Sequence, residues 1–379
     1  MQPLVFHNGH VLTERGFEPE ACVVVEDGHI VAVLHGAAPG GGVRIDLGGG
    51  YLSPGFIDLQ VNGGGGVLFN NAPGIEAIAT IGRAHRRFGT TGFLPTLISD
   101  EAEVMRRAVA AVRAAIAQGV PGVLGIHLEG PYLAPARKGT HDAARFRVPE
   151  AAEIALATAL DNGVTLLTVA PERLPQASLQ ALAARGAILW AGHSDATYAQ
   201  AQAGFAAGIR GVTHLFNAMS PLQGREPGMV GAALDNADCW CGIIVDGVHV
   251  HPASLRIALA AKPRGKVLLV TDAMPMVGAD SPAFDLYGET ITASDGVVRN
   301  AAGALAGSAL DMASAVRNAV RLLGLGLDEA CRMAAQYPAE AIGLGASHGR
   351  IAPGYRADLV WLDAQAQVRA TWIAGRADA

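Results

Sequence analysis

Polar side chains that can bind a metal or move a proton recur at the ends of apolar, strand-like segments of this 379-residue sequence. They are Gln60 and Asn62, His127 and Glu129, His193 and Asp195, His214 and Asn217, Asp246 and His249, and Asp272. One buried histidine is often only a hydrogen-bonded core residue, but repetition after successive strands indicates a shared site. Because the carboxyl ends of parallel barrel strands converge on one face, we expect these side chains to line one cavity.

Three of these side chains, Glu129, His193 and His214, suit a catalytic zinc ion. Two histidines and one carboxylate leave the fourth tetrahedral position open for water. Asp272 directly follows the apolar run LLVT, and beside a metal it could act as a general base and then as a general acid. Taken singly, Glu129 could be an ion-pair partner and Asp272 could cap a helix. His127 could be a supporting residue behind the ligands or a packing residue.

Two other motifs contain residues that could bind a ligand, but we assign neither of them a function. The glycine run at 63–66 lacks the Gly-Lys-Ser/Thr ending of a phosphate-binding loop and the spacing of a dinucleotide motif, so we interpret it as a flexible connection. Cys239 and Cys241 form a C-x-C pair whose side chains would share one face of a strand. We expect them to pack rather than to bind a ligand.

The segment 54–345 alternates buried-strand candidates with amphipathic, helix-like stretches such as AEVMRRAVAAVRAAIAQG and ASLQALAARG. The eight strand candidates are FIDLQVNG, GFLPTLI, GVLGIHLEG, VTLLTVAPE, AILWAGHS, GVTHLFNAM, CWCGIIVDG and KVLLVTDAM. Strands and helices in alternation are typical of parallel βα units, and eight units predict an α/β fold of the (β/α)8, TIM-like barrel type.

Short β-like runs separated by turns occupy both ends of the chain. Asn8-Gly9 and Asp27-Gly28 are hairpin signals in a first unit that reads as antiparallel. We expect residues 1–53 and 346–379 to pair into one small β-sandwich domain, with the barrel over 54–345 between them.

Composition excludes several classes of function. Lys and Arg number 28 and Asp and Glu 34, for a net charge of −6, which does not favour a nucleic-acid partner. We find neither a signal peptide nor a membrane span at this stage. The four cysteines are few and scattered, as suits a reducing compartment, so we expect a cytoplasmic protein.

Several blocks of the sequence, in order along nearly the whole chain, resemble the N-acetylglucosamine-6-phosphate deacetylase family of the amidohydrolase superfamily. They are SPGFIDLQVNG, HLEGPYLAPARKGTH, AGHSDATYAQAQAGFAAGIRGVTHLFNAMSPLQGREPG, CGIIVDGVHV, LVTDAM and GRIAPGYRADLVWLD. The resemblance implies a metal-dependent hydrolase of amino sugar metabolism that removes the N-acetyl group of N-acetyl-D-glucosamine 6-phosphate. The implied products are D-glucosamine 6-phosphate and acetate.

The resemblance also implies a role for each matching residue. Glu129, His193 and His214 would hold one divalent metal per chain, with Zn²⁺ as the preferred ion. A metal-bound water would attack the amide, with Asp272 as base and then acid and His141 at the acetyl carbonyl. The implied substrate-binding residues are Thr140, Asn217, Ala218, Arg225, His249, Leu305, Ala306 and Gly307.

The chain departs from the wider superfamily at the first barrel strand. Many members carry His-x-His there for a second metal, whereas this chain has Gln60 and Asn62, and amides are poor zinc ligands. We therefore predict that the second-metal position is vacant.

The family also implies a homodimer with shared active sites, in which Arg225 and His249 reach the phosphate bound by the neighbouring subunit. The alternatives are an amidohydrolase of a related substrate, either N-acetylgalactosamine 6-phosphate or a cyclic amide, and a non-catalytic assembly protein on the same fold. The joint presence of Glu129, His193, His214 and Asp272 speaks against the last of these.

Overall fold

The computed structural model describes residues 2–36 and 39–377. Met1, residues 37–38 and residues 378–379 belong to the predicted domain ranges but lie outside the described residues. Within the described ranges, no helix is long and apolar enough to cross a membrane.

The first seven strands precede the barrel and are divided between two sheets. They are β1 Leu4–His7, β2 His10–Thr13, β3 Gly16–Pro19, β4 Ala21–Glu26, β5 His29–His35, β6 Val43–Asp46 and β7 Tyr51–Pro54. One sheet has the order β5-β4-β1-β6, and β2, β3 and β7 belong to the other. Both sheets are mixed rather than antiparallel, because β1 pairs with β6 and β2 pairs with β7 in parallel.

The two predicted hairpin turns have different outcomes. Asp27 and Gly28 join β4 to antiparallel β5, so this hairpin is confirmed. The Asn8-Gly9 hairpin is wrong, because this turn takes the chain from one sheet to the other and β1 does not pair with β2. A Cβ at position 9 would lie 2.7 Å from the Gly50 carbonyl oxygen, so the crossing requires a glycine.

The next ten strands build the barrel and one small hairpin. They are β8 Phe56–Val61, β9 Gly63–Gly64, β10 Val67–Leu68, β11 Thr90–Ile98, β12 Gly125–Glu129, β13 Val164–Val169, β14 Ile188–Ala191, β15 Ile209–Val212, β16 Trp240–Ile243 and β17 Val267–Leu269. Eight of them form a parallel sheet in the order β17-β16-β15-β14-β13-β12-β11-β8. Each predicted strand segment overlaps one of these eight, which confirms the barrel; β11 and β15 begin two residues before their predicted segments. In β8, β11 and β12 every residue is buried, which explains their nearly continuous apolar sequence.

The barrel closes between β8 and the segment after β17 through side chains and single backbone contacts. Val61 and Ala273 form an isolated parallel bridge. The Thr271 hydroxyl donates to Asp58 Oδ2 at 2.5 Å, and the Thr271 backbone N–H donates to Oδ1 at 3.3 Å. Burial raises the pKa of Asp58 to about 7, against the lowering effect of these bonds. Asp58 therefore serves the closure of the barrel.

A helix follows each barrel strand, and two more complete the α-helical layer. The helices are α1 Ile75–Arg86, α2 Ala102–Ala117, α3 Ala151–Ala157, α4 Gln176–Ala184, α5 Tyr198–Ala206, α6 Gly228–Asp235, α7 Pro252–Ala261, α8 Met312–Leu323, α9 Leu327–Ala334 and α10 Gln336–Ala341. Local signals mark their ends: Thr197 and Gln200 form a capping box at the start of α5. Asp311 caps α8, which ends at a left-handed Gly324.

The glycine run at 63–66 is ordered, which corrects our interpretation of it as a flexible connection. β9 and β10 pair as a hairpin, with Gly65 and Gly66 at φ of 61° and 83° in the turn. A Cβ at Gly63 would lie 2.5 Å from the Val67 carbonyl oxygen. The glycines therefore permit a left-handed turn and a close backbone approach.

A three-stranded sheet interrupts the barrel after β17, within a range that we had assigned to the barrel alone. Its strands are β18 Ala283–Leu286, β19 Glu289–Ser294 and β20 Val297–Arg299, all antiparallel. It has a small core of its own, formed by Leu68, Ile98, Met274, Phe284, Leu286, Ile291, Val298 and Ala306. Ile98 and Met274 also line the cavity at the carboxyl ends of the barrel strands, so this sheet packs against the mouth of the barrel.

The last strands return to the N-terminal sheets. They are β21 Leu359–Leu362, β22 Val368–Ile373 and β23 Arg376–Ala377, in a sheet of order β23-β22-β21-β7-β2-β3. Phe6 and Trp372 from the two sheets meet edge to face, with ring centroids 4.9 Å apart, inside a shared apolar core. Both chain ends thus build one β-sandwich. The division of the chain at 53/54 and 345/346 remains our proposal.

Candidate active site

A cavity of about 380 Å³ opens at the carboxyl ends of the barrel strands. Predicted site residues that line it are Asn62, Glu129, Thr140, His141, His193, His214, Asn217, Ala218, His249, Asp272, Leu305 and Gly307. Seven of the eleven strand-end residues line the cavity, so the expected convergence is confirmed in part; Gln60, His127, Asp195 and Asp246 are not among the lining residues.

Glu129, His193 and His214 meet in the floor of this cavity, and all three are buried. Glu129 Oε1 lies 3.2 Å from His193 Nε2 and 3.0 Å from His214 Nε2, and the two Nε2 atoms are 3.2 Å apart. One ligand atom from each residue lies within 4.8 Å of the others. A carboxylate oxygen and two imidazole nitrogens at such spacing can share one tetrahedral ion.

A hydrogen bond behind His193 leaves its Nε2 free to bind a metal. Its Nδ1 lies 2.8 Å from the Arg137 carbonyl oxygen, which only accepts, so Nδ1 carries the hydrogen and Nε2 offers its lone pair. The Arg137 side chain is in turn held by Asp195, with Nε 2.8 Å from Oδ1. Two imidazole nitrogens and an acidic oxygen that face one another are a donor set that fits a divalent cation.

The backbone is strained where it presents these groups. His193, His214 and Asp272 have φ of 48°, 35° and 54°, a left-handed region that side chains other than glycine rarely adopt. Such strain is typical of functional sites, where surrounding packing holds a residue in an otherwise costly conformation.

Glu129 and His214 shift each other's pKa values. Burial alone would raise the pKa of Glu129, but the imidazoles of His193 and His214 beside its Oε1 hold this pKa well below its usual value. Burial alone would lower the pKa of His214, but the hydrogen bond to Glu129 raises it above its usual value. Glu129 is therefore ionised, and the charged-group partners that the structure describes within 4 Å of it are His141, His193 and His214.

Asp272 lies beside this cluster and receives hydrogen bonds from two amides. Asn62 Nδ2 donates to Asp272 Oδ1 at 2.6 Å, and Gln60 Nε2 donates to the same oxygen at 3.1 Å. Burial, and then the negative charge of Glu129, raises the pKa of Asp272 to about 6. No helix begins at Asp272, so the helix-cap alternative does not apply.

Gln60 and Asn62 direct their NH₂ groups at carboxylates, since Gln60 Nε2 also donates to Glu129 Oε1 at 3.0 Å. An amide used in this way is a donor, whereas a metal ligand must offer a lone pair. In this arrangement neither amide NH₂ group can bind a cation, and the vacancy of the second-metal position stays a prediction.

His141 faces the cavity from the loop after β12. Its Nε2 lies 3.9 Å from Glu129 Oε2, and its Nδ1 lies 2.8 Å from the Ser99 hydroxyl. Burial, and then the charge of His193, lowers the pKa of His141 well below its usual value. His141 is therefore neutral at pH 7 and can donate one hydrogen bond into the cavity.

The other predicted residues occupy the rim and the surface. His249 lines its own chain's cavity, with Nδ1 2.6 Å from Asp246 Oδ2, which corrects our expectation that it serves the neighbouring subunit. Arg225 is exposed and lies outside the cavity wall. Ala306 is fully buried between Leu305 and Gly307, the two residues of that segment that reach the cavity.

Residues 51–377 match the sequence profile of the amidohydrolase family. The chain belongs to the amidohydrolase family. It is 44% identical over 375 residues to the N-acetylgalactosamine-6-phosphate deacetylase of Shewanella sp. (strain ANA-3), an alignment that covers 98% of this chain and 95% of the relative.

Two solved structures of amidohydrolases closely resemble this one. The N-acetylglucosamine-6-phosphate deacetylase from Pasteurella multocida has a TM-score of 0.96 and 36% identity over 100% of both chains. An aspartate-to-alanine mutant of the Mycobacterium smegmatis N-acetyl-D-glucosamine-6-phosphate deacetylase, in complex with N-acetyl-D-glucosamine 6-phosphate, has a TM-score of 0.92. That match has 35% identity and covers 99% of this chain and 98% of the other.

Within this amidohydrolase barrel, His127 has a structural role. Its Nδ1 lies 2.9 Å from the Leu59 carbonyl oxygen and its Nε2 lies 2.8 Å from the Thr168 hydroxyl. Burial lowers the pKa of His127 to about 4, so it is neutral. It belongs to the polar interior of the barrel rather than to the ligand set.

Sequence reasoning missed Ser99 and Arg137 as site residues of this amidohydrolase. Ser99 directly follows β11, so the strand-end rule that identified the other residues could have identified it. Arg137 acts through its backbone carbonyl, which carries no residue-type signal, and only the fold reveals it.

We expect about one tightly bound divalent metal per chain of this amidohydrolase. The described residues contain one cluster of suitable ligands, and the position opposite carries amide donors. Elemental analysis of protein purified without added metal should give about one equivalent. Two equivalents, with anomalous scattering beside Gln60, would show that the amides do serve as ligands.

Proposed function

We propose that this amidohydrolase removes the N-acetyl group of N-acetyl-D-glucosamine 6-phosphate, giving D-glucosamine 6-phosphate and acetate. The observation that carries the proposal is the placement of Asp272 beside the Glu129, His193 and His214 cluster in one cavity. The names of the similar solved structures support the same reaction.

Different residues carry out the separate steps of amide hydrolysis. Asp272, held by Asn62 and Gln60, accepts the proton of the attacking water and returns it to the departing amine. His141, neutral and anchored at Nδ1, donates from Nε2 to the acetyl oxygen as negative charge develops there. A divalent metal on Glu129, His193 and His214, for which we propose Zn²⁺, would supply Lewis acidity where water and the amide carbonyl meet.

The rest of the cavity suits a phosphorylated sugar. Thr140, Asn217 and Ala218 line its wall, and the segment of Leu305, Ala306 and Gly307 borders it from the side of the small sheet. His249 supplies a polar group at the same wall. Because the net charge of −6 repels an anion, phosphate binding must depend on such placed donors together with Arg225.

N-Acetylgalactosamine 6-phosphate is a second candidate substrate, favoured by the name of the 44%-identical relative. The two sugars differ only in the configuration of one hydroxyl. Acetate release should be measured from both 6-phosphates and from both unphosphorylated sugars. We expect kcat/KM to be highest for the glucosamine derivative and to fall sharply without phosphate; a preference for the galactosamine derivative would identify the second candidate.

We also propose a homodimer in which Arg225 completes the phosphate site of the neighbouring subunit. Arg225 is exposed, and in its own chain it lies away from the cavity. Leu222 on the same loop and Val248 on the next are 55% and 41% exposed, as suits an apolar contact with a second copy. The four free, buried cysteines support our proposal of a cytoplasmic location.

Mixing of inactive subunits tests the shared site. Asp272→Asn and Arg225→Ala dimers should each be weak alone. After subunit exchange at equal amounts, half of the dimers are mixed and each holds one intact site, so activity should recover to about a quarter of the wild-type value.

The matched control for mixing pairs Asp272→Asn with His249→Ala. Because His249 lines its own chain's cavity, this pair should show no recovery. Failure of the Arg225→Ala pair to recover despite proven exchange would mean that each site is built within one chain.

A further inference from the structure

Ser99 is a buried residue next to His141, immediately after β11. Its backbone N–H donates to His141 Nδ1 at 3.3 Å, and its hydroxyl lies 2.8 Å from the same nitrogen. A backbone N–H can only donate, so Nδ1 of His141 is the acceptor. The hydroxyl then donates as well, so the N–H and the hydroxyl of Ser99 converge on one lone pair. The Ser99 hydroxyl oxygen also lies 3.5 Å from the Glu129 carbonyl oxygen, a longer and weaker contact.

This arrangement determines which nitrogen of His141 carries hydrogen. A neutral imidazole has one N–H and one lone pair, so an accepting Nδ1 places the hydrogen on Nε2. His141 lines the cavity, and Nε2 is the nitrogen nearer to Glu129, at 3.9 Å from Oε2. An N–H donor there is what the acetyl oxygen needs as it gains negative charge.

Tyr287 holds Ser99 from the other side. It lies in the turn between β18 and β19, and its hydroxyl donates to the Ser99 carbonyl oxygen at 2.5 Å. With φ of 53°, Tyr287 itself has a left-handed backbone conformation, which is uncommon for a bulky residue. Gly288 follows with φ of 80°, so the pair has the positive φ values of a two-residue hairpin turn, and this turn places the Tyr287 hydroxyl at Ser99.

The same small sheet also positions the segment that borders the substrate side of the cavity. The Ala306 N–H donates to the Val298 carbonyl oxygen at 3.1 Å, and Leu305 bridges to Arg299. Thus β20 orders the Leu305 to Gly307 segment, while the turn between β18 and β19 contacts Ser99. The inserted sheet touches both the wall of the cavity and the support of His141.

We propose that Ser99 is a positioning residue for His141 and that Tyr287 acts through Ser99, so that the inserted sheet couples the substrate-bordering segment to the orientation of the oxyanion donor. This inference rests on the proposed deacetylase function. In this inference the inserted sheet affects the rate of the reaction as well as the wall of the cavity.

Ser99→Ala is the first test. It removes the hydroxyl but leaves the backbone donor, so kcat on N-acetyl-D-glucosamine 6-phosphate should fall about 10-fold, less than the ~10²–10³-fold loss of a whole oxyanion donor. KM should stay within about twofold and metal content should stay unchanged, because Ser99 contacts neither sugar nor metal in this proposal. Ser99→Thr, which keeps the hydroxyl, should restore most of kcat.

Tyr287→Phe is the second test, and it should lower kcat by about 3- to 5-fold through the loss of one hydrogen bond. The matched control is Tyr355→Phe, which removes a comparable bond to a backbone carbonyl, that of Gly345 at 3.0 Å, in the β-sandwich. This control should keep wild-type kcat. The double variant Ser99→Ala/Tyr287→Phe should be no more than about twofold slower than Ser99→Ala, because both changes act on one path.

A double-mutant cycle with His141 decides whether Ser99 acts through that residue. In a His141→Gln background, Ser99→Ala should cost less than about twofold. A full additional 10-fold loss there, or wild-type kcat in both Ser99→Ala and Tyr287→Phe, would overturn the inference. If the wild-type protein itself releases no acetate from any N-acetylated sugar phosphate, the proposed function fails instead.

Discussion

Asp272→Asn should leave a folded, metal-loaded protein that has lost about 10²–10⁴-fold in kcat, the usual contribution of general acid–base catalysis. The amide cannot accept the proton of the attacking water. Its oxygen can still accept the hydrogen bonds from Asn62 and Gln60, so local packing is preserved. Asparagine also tolerates the left-handed backbone at this position, where φ is 54°.

The matched control for Asp272→Asn is the same substitution at Asp295. Asp295 is exposed and has a similar φ of 52°, in the turn between β19 and β20. Asp295→Asn should keep the wild-type rate, and both variants should keep the wild-type melting temperature within a few degrees. An Asp272→Asn protein with full metal content and near wild-type kcat would show that another group moves the proton.

Glu129→Gln should lose the metal and, with it, on the order of 10³-fold or more of the activity, since Lewis-acid catalysis is worth several kcal/mol. The substitution keeps the shape of the side chain but removes its negative charge. His193, His214 and Gln60 all contact Oε1 of the Glu129 carboxylate. Elemental analysis should fall from about one equivalent per chain to near zero.

A chelator experiment sharpens the test of Glu129. Wild-type protein treated with a chelator should lose activity and regain it when the divalent metal is returned, whereas Glu129→Gln should regain none at the same metal concentration. Glu103→Gln is the control, because its side chain is 65% exposed on α2. Full metal retention and activity in Glu129→Gln would place the metal on other residues.

The positions of the proposed catalytic groups could be predicted from the sequence because of one physical rule. The apolar strands of the barrel are buried on both faces, so we expect a polar residue at the end of such a strand to face the mouth of the barrel. Glu129, His193, His214 and Asp272 follow this rule, and the structure brings all four together. Ser99 follows it as well, and it was overlooked because a serine alone suggests no chemistry.

The small sheet shows where the prediction was incomplete. Asp295-Gly296 separates β19 from β20 by two residues, which is a hairpin signal that the sequence did contain. Its strands have three to six residues and lie within a range already explained by βα units. By contrast, no pattern could reveal that the Arg137 carbonyl orients His193, because a backbone contact depends on the fold alone.

The proposed role of Arg225 involves a second copy of the chain. The loop that carries it is exposed and lies outside its own cavity, whereas His249, which we had grouped with it, lines its own. No pattern in the sequence indicated this difference in placement between Arg225 and His249; it appears only in three dimensions.

Proton NMR of the reaction mixture tests the central claim most directly. Wild-type protein with about one equivalent of metal should convert N-acetyl-D-glucosamine 6-phosphate into acetate and D-glucosamine 6-phosphate in equal amounts, while Asp272→Asn shows almost no product in the same time. Absence of acetate with the metal-loaded wild-type protein, from this substrate and from its galactosamine epimer alike, would contradict the account.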